Sequence, residues 1–258
     1  MTLPYLRQFS LVDRVALVTG SARGLGLCIA RALAGSGAHV LLNGRDAQAV
    51  EQAAAALRAD GLAASALPFD VSDDAAAEAA FARIDNEFGR LDILVNNVGA
   101  RNRKTLRAFT PAEVRELIEM DLVAGILLSK RAAERMVRHG YGRLIAITSV
   151  VGEIARVGDA VYPAAKQGLT GMMRAVAMEY APLGVTSNAI APGTFATETN
   201  AAMVADAAVD AAVRGRNPMG RWGLPEEIAG AAVFLASPAA SYVNGHVLVV
   251  DGGLSVQF

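Results

Sequence analysis

Tyr162 and Lys166 stand four residues apart in the stretch "VYPAAK" (161–166). On a helix this spacing puts both side chains on one face, about one turn apart. A phenol normally titrates near pH ~10, too high for proton exchange at neutrality, and an ammonium one turn away stabilises the phenolate and lowers that value. The pair is equipped for proton transfer. Ser149 closes the apolar run "RLIAITS" (143–149), a short distance upstream. A carbonyl reduced by hydride develops negative charge on its oxygen, so it needs a donor to polarise it and an acid to protonate it. Ser149 suits the first task and Tyr162 the second, with Lys166 tuning the phenol. Pro163 sits beside them at little cost, because in the first turn of a helix its missing amide has no partner to lose. Taken alone, the Tyr–Lys spacing also fits an ordinary helix with a core tyrosine and a solvated lysine. The surrounding elements have to decide.

Seven apolar runs read as strands: 14–20, 39–44, 66–71, 91–97, 143–149, 185–192 and 246–253. Their near-continuous apolar character fits strands covered on both faces, and the alanine-rich helical stretches between them force parallel crossovers. The expected fold is α/β, a single Rossmann-type domain over residues 1–258, with a doubly wound parallel seven-stranded sheet and helices on both faces. In such a sheet a ligand site lies where strands end and helices begin, which is where Ser149 and Tyr162 fall. Residues 193–224 are irregular and fit either a flap over a ligand or a packed excursion. At 258 residues, 53% of them hydrophobic, the chain can bury a large core, yet no apolar run approaches bilayer length. The N-terminal "MTLPYLRQFSLVDR" has no basic start followed by an apolar signal core, so the expected location is the cytoplasm. A net charge of −1 with mixed signs gives no reason to expect nucleic acid or membrane as partners. No metal site is expected. The lone Cys28 in "GLGLCIARAL" is read as a packed helical position.

The segment "TGSARGLG" (19–26) follows the first strand and opens a helix. Glycines at 20, 24 and 26 allow a tight turn, close approach of backbone amides to a pyrophosphate, and close helix–sheet packing. The strand before and the helix after are the context that a dinucleotide-binding turn requires.

These pieces, with "FDVSD" after the third strand, "NNVG" (96–99), the serine of "IAITS", "YPAAK", "APG" (191–193) and the closing "VDGG" (250–253), resemble the short-chain dehydrogenase/reductase family over essentially the whole chain. The resemblance implies an NAD(P)-dependent oxidoreductase acting on CH–OH groups, with Ser149, Tyr162 and Lys166 as catalytic residues. It also implies a dinucleotide held by Gly20, Ser21, Arg23, Gly24, Leu25 and Gly26, with adenine contact at Asp70 and Val71. On the nicotinamide side it implies Asn96, Asn97, Gly99, Pro192 and Gly193, and Tyr162 and Lys166 reaching the same cofactor. The family's catalytic set usually includes an asparagine where this chain has Asp121 in "EMDLVAG" (119–125). A role through the backbone carbonyl survives that change, whereas a carboxylate there adds a buried charge or requires a proton.

Cofactor choice is written at the end of the second strand, in "LLNGRD" (41–46). An acidic side chain there accepts from a ribose 2′-hydroxyl and repels a 2′-phosphate. By the family's register Gly44 takes the acidic position and Arg45 follows, with Arg23 nearby, so NADP(H) is favoured; Asp46 keeps NAD(H) open. The basic loop "GARNRK" (99–104) after the fourth strand brings Arg101, Arg103 and Lys104 to the cleft rim, where they could attract an anionic substrate. Within the family the chain is most similar to gluconate 5-dehydrogenases, through that loop and "TSVVGEIAR", with its Ser149, Glu153 and Arg156. This implies a sugar acid or polyol as substrate, contacted by Arg103, Ser149, Glu153 and Tyr162, and a homotetramer. Two other readings remain: a 3-oxoacyl-[acyl-carrier-protein] reductase, and a nucleotide-sensing scaffold without activity on the same fold.

Overall fold

The apolar runs form strands where β-branched and aliphatic residues can be covered from both sides. The computed structural model describes residues 4–155 and 157–256. Its strands are β1 (Val15–Val18), β2 (His39–Leu42), β3 (Ala64–Ala66), β4 (Ile93–Asn96), β5 (Gly142–Ile147), β6 (Val185–Pro192) and β7 (Val247–Val250). They pair in parallel in the order β3-β2-β1-β4-β5-β6-β7. The winding reverses between β1 and β4, so the loops leaving those two strands flank a crevice at the carboxyl edge. This is the expected doubly wound seven-stranded sheet.

The helices are α1 (Gly24–Gly35), α2 (Ala47–Ala59), α3 (Asp74–Phe88), α4 (Pro111–Ile118), α5 (Ala124–Met136), α6 (Val161–Tyr180), α7 (Ala201–Ala205), α8 (Ala207–Arg216) and α9 (Ala229–Ala236). Side chains Ile29, Leu33, Val50, Leu57 and Leu235 of α1, α2 and α9 pack on one face of the sheet. On the other, Phe81 and Ile84 of α3 and Leu128 and Met136 of α5 meet Leu17, Leu94 and Leu144. Each fully buried leucine or phenylalanine of these two layers contributes about 1.5–3 kcal/mol. Local signals set the helix starts. Asp73 caps α3 through the Ala76 N–H at 3.0 Å, and Thr110 with Glu113 forms a reciprocal capping box at α4.

Six of the seven strands are shorter than the runs read from the sequence, β6 alone keeping its bounds, and two of the six have a clear local cause. The third strand covers Ala64–Ala66 and not 66–71. Pro68 has no N–H to continue the ladder, and Asn43 Nδ2 takes the carbonyls of Leu67 and Phe69 at 3.2 and 3.0 Å, guiding the chain off the sheet. The last strand ends at Val250, because Gly252 and Gly253 turn away with φ of 64° and 88°. Cys28 is half-buried in place of fully packed, and burial pushes its thiol pKa up.

The 193–224 segment is a packed excursion. It folds into α7 and α8, with Asp206 capping α8 through the Ala208 and Val209 N–H groups. Buried Trp222 donates Nε1 to Asp210 Oδ1 at 2.8 Å, and Phe195 bridges to Gly223. Gly223 is needed at this contact, since a Cβ there would lie 2.8 Å from the Phe195 ring.

Candidate active site

Ser149 follows β5 with extended backbone, and its Oγ accepts the Val151 N–H at 3.4 Å. Tyr162 and Lys166 lie on the opening turns of α6, and the Ser149 side chain is close enough to Tyr162 to act on its pKa. Lys166 is buried, 3% exposed, with Nζ donating to the carbonyls of Ile147 at 3.2 Å and Val98 at 3.4 Å. The three residues converge. Their electrostatics differ from the sequence expectation. Burial raises the Tyr162 pKa to about 12, and the first group opposing it is Arg101; the Ser149 side chain also lowers it, while Asp121 and Asp159 push upward. The Arg101 guanidinium sits over the phenol ring, 4.9 Å from its centroid, against 5.6 Å for Lys166 Nζ. Arg101 is held there by buried Asp159, with Nε donating to Oδ2 at 2.6 Å. Of the two cations over the phenol ring, Arg101 is therefore the nearer. Burial also lowers the Lys166 pKa, partly offset by Asp121.

Asp121 lies in a π-helical turn, Glu119–Val123, inserted between α4 and α5. The wider turn brings its carboxylate back toward the loop after β4, where Oδ1 accepts the Ala100 N–H at 2.6 Å. Its Oδ2 is buried with no hydrogen-bond partner among the described residues. Burial raises this carboxyl's pKa, with Lys166 and the Ala100 N–H acting in the opposite direction. Gly99 lets the lysine pass: a Cβ there would lie 2.8 Å from Lys166 Nζ and 3.7 Å from Asp121 Oδ1.

The glycine loop after β1 suits a dinucleotide. Gly20 and Gly24 have φ of 60° and 59°, and a Cβ on Gly26 would stand 2.5 Å from Asn97 Nδ2. No side chain caps the N-terminus of α1, so its first N–H groups face the loop available to an anion. Asn97 fastens the loop by donating Nδ2 to Thr19 O at 2.9 Å and Gly20 O at 3.1 Å. Ser21 is fully buried, its hydroxyl shared between Val18 O at 2.7 Å and the Asn43 N–H at 3.0 Å. The serine hydroxyl shapes the loop and has no free face for a phosphate. Asn96 is also placed otherwise than expected. Its Nδ2 donates to Gly125 O and Ser129 Oγ of α5, away from the crevice, because successive residues of a strand face opposite sides of the sheet. Asp70 accepts from Ser72, Val71 packs in the core, and Leu25 is partly buried. Pro192 ends β6, and a Cβ on Gly193 would lie 2.7 Å from Asp251.

Around the second strand's end, Arg23 and Arg45 are exposed next to Gly44. Asp46 is occupied as the cap of α2, its Oδ1 accepting from Gln48 and Ala49 at 2.9 and 3.1 Å. The nearest carboxylate to a ribose is therefore engaged elsewhere.

A cavity of about 350 Å³ opens beside Ser149, lined by Arg101, Arg103, Gly193 and residues of α7 and α8. Arg103 Nη1 donates to Met203 Sδ at 3.3 Å across it. Lys104 is not available to a ligand there, since its ammonium pairs with Glu113. Glu153 is exposed and lies outside the lining, whereas Ile154 and Ala155 form part of it; Arg156 falls outside the described residues. Sequence reasoning missed Asp159, Thr194 and Arg216. The last two line the cavity, and Thr194 Oγ1 is buried without a partner among the described residues. Arg216 sits in the segment read only as irregular, and no motif marked it. Among the described residues no three His, Cys, Asp or Glu side chains gather as a metal site.

Known proteins share this arrangement. A family model described as enoyl-(acyl carrier protein) reductase matches residues 20–255. Gluconate 5-dehydrogenase of Gluconobacter oxydans is 42% identical over 249 residues, 96% of this chain and 97% of that protein. The 5-keto-D-gluconate 5-reductase of Escherichia coli K12 is 38% identical, covering 96% of this chain and 98% of the relative. The crystal structure of a gluconate 5-dehydrogenase from Burkholderia cenocepacia in complex with NADP and tartrate superposes with a TM-score of 0.95 at 40% identity, covering 98% of this chain and 100% of that one. With a family model over most of its length and relatives this similar end to end, the chain belongs to the short-chain dehydrogenase/reductase family.

Proposed function

We propose that the chain is an NADP(H)-dependent oxidoreductase interconverting a secondary alcohol and a ketone on a small carboxylate, of the gluconate and 5-ketogluconate class. The observation carrying this reading is the convergence of Ser149, Tyr162 and Lys166 beside a cavity that Arg101 and Arg103 line. Exposed Arg23 and Arg45, the absence of a carboxylate at Gly44 and the engagement of Asp46 support the 2′-phosphorylated cofactor, and the Burkholderia relative was solved with NADP. When bound, the dinucleotide supplies or accepts the hydride. In reduction the Ser149 hydroxyl donates to the carbonyl oxygen and Tyr162 delivers the proton to it; in oxidation Tyr162 withdraws that proton. Lys166 is fixed by two carbonyls beneath the site, and the Asp121 carboxylate favours its charged form. Arg103 pairs with the substrate carboxylate. A homotetramer is part of the proposal, supported by exposed Met178 on α6 and by half-exposed β7 at the sheet edge. So is a cytoplasmic location, consistent with the described residues having no helix long and apolar enough to cross a membrane.

The test is turnover of 5-ketogluconate and of an acetoacetyl thioester with NADPH and NADH, by parent and Arg103→Ala. We expect 5-ketogluconate with NADPH to be preferred and the variant's KM for it to rise ten- to a hundredfold, about 1.5–3 kcal/mol for a charge-assisted contact. Preference for the thioester, or a KM insensitive to Arg103, refutes the substrate reading.

A further inference from the structure

The cavity beside Ser149 has two kinds of surface. Its cations are the guanidinium groups of Arg101, Arg103 and Arg216. Much of the remaining wall is apolar, built by Val150, Ile154, Met203, Val209, Val213 and Trp222. The neutral polar side chains on the wall are four, Ser149, Thr194, Asn200 and Trp222, and some of their capacity is already used. Trp222 donates Nε1 to Asp210, which leaves its ring as an apolar surface. Asn200 donates Nδ2 to Phe195 O at 2.9 Å. Ser149 Oγ accepts the Val151 N–H at 3.4 Å and serves the reacting oxygen. Thr194 Oγ1 is the buried side-chain oxygen on this wall without a partner among the described residues. A polyol chain laid along this wall has several hydroxyls and few groups to receive them. A site that hydrogen-bonds a substrate hydroxyl rejects the analogue lacking it, whereas an apolar wall has no means of doing so.

We infer that the cavity selects its substrate by a carboxylate and an apolar body, so that the enzyme also reduces aliphatic oxo-carboxylates that carry few or no hydroxyls. The inference rests on the reading that this cavity is the substrate site. The reaction balances as for any ketone. The carbonyl carbon gains the hydride that NADPH supplies, the C=O π pair moves to oxygen, and that oxygen takes the Tyr162 proton, giving the secondary alcohol and NADP⁺. The proton is replaced from solvent.

5-Oxohexanoate tests this directly, because it is 5-ketogluconate with the hydroxyls removed and the carboxylate and ketone at the same spacing. Two measurements are made on the enzyme: NADPH oxidation with 5-oxohexanoate, 5-ketogluconate and 2-hexanone, and fluorescence titration of the NADP⁺ complex with the same three compounds. The chain has one tryptophan, Trp222, and it lines the cavity, so emission reports occupancy independently of turnover. We expect kcat/KM for 5-oxohexanoate within tenfold of 5-ketogluconate, and at least tenfold above 2-hexanone, which lacks the carboxylate. Val213→Asn should lower kcat/KM and fluorescence affinity for 5-oxohexanoate about tenfold more than for 5-ketogluconate. Turnover of 5-ketogluconate with 5-oxohexanoate more than tenfold poorer overturns the inference and leaves the proposed function standing. Equal use of 2-hexanone and 5-oxohexanoate also overturns it. Failure of both keto acids to react and to move the Trp222 emission removes both readings.

Discussion

Replacing Arg101 by Gln removes the group that most opposes the burial-raised pKa of Tyr162. The guanidinium carbon lies 4.9 Å from the phenol ring centroid. Two unit charges about 5 Å apart at an effective dielectric near 20 interact by about 3 kcal/mol, or about two pKa units. Asp159 works against this. It is ion-paired with Arg101 and pushes the Tyr162 pKa up, less strongly than Arg101 lowers it. The pair's net effect is then a lowering smaller than that of the cation alone. Arg101→Gln leaves the Asp159 carboxylate, 1% exposed, without its cation and should raise the phenol's pKa by the larger amount. Breaking a buried pair from one side costs about 3–5 kcal/mol. Because the Arg101 side chain is 22% exposed, a loss nearer 2 kcal/mol is expected here. Arg101→Gln/Asp159→Asn replaces the ion pair by two neutral amides and keeps the fold readable. The assay is kcat for alcohol oxidation against pH, where Tyr162 must ionise to withdraw the proton. Below the midpoint the rate falls tenfold for each unit by which that pKa rises, so sign and size are both visible at pH 8. Asp159→Asn should move the rising limb to lower pH than the parent, the double variant to higher pH, and Arg101→Gln highest. Four superimposable profiles with intact NADP⁺ binding would refute the argument and return the tuning role to Lys166.

Other expectations can be checked alongside. Tyr162→Phe should lose nearly all turnover with NADPH binding close to normal; activity within about tenfold of the parent, only ~1.4 kcal/mol of barrier, would contradict the proton-donor role. Gly99→Ala places a methyl 2.8 Å from Lys166 Nζ, whose two carbonyl contacts hold it in the way. A ten- to hundredfold fall in kcat is expected, about 1.4–2.7 kcal/mol, with little change in melting temperature; an unaffected kcat would show that the lysine can move freely. Arg45→Asp should weaken NADPH binding and favour NADH, since a carboxylate repels the 2′-phosphate and accepts from the 2′-hydroxyl. A parent that already prefers NADH, measured by fluorescence titration with both dinucleotides, would contradict the cofactor reading.

What the sequence determined by itself is what local chemistry can encode. Alternating apolar runs and alanine-rich helices specify a parallel sheet, because strands covered on both faces and joined by helices have few other solutions. The glycine spacing at 20, 24 and 26 marks the phosphate turn, since these positions need positive φ or tolerate no Cβ. The Tyr162–Lys166 spacing fixes a shared helix face from backbone geometry alone. Tertiary structure decided everything that depends on which distant groups meet. The cation over Tyr162 comes from the loop after β4 and is held by Asp159, a partner 58 positions away. Asn96 and Asn97 are neighbours of one residue type, yet the pleat sends one into α5 and the other into the glycine loop. Asp46 is lost to a helix cap, and Lys104 to Glu113. The apolar wall of the cavity is assembled by a segment whose composition showed no periodicity of its own, because its helices are short and its packing is against the loops at the sheet's carboxyl edge. Periodicity writes secondary structure into a sequence, but the field and the polarity at a site are sums over side chains that only folding brings within a few ångströms.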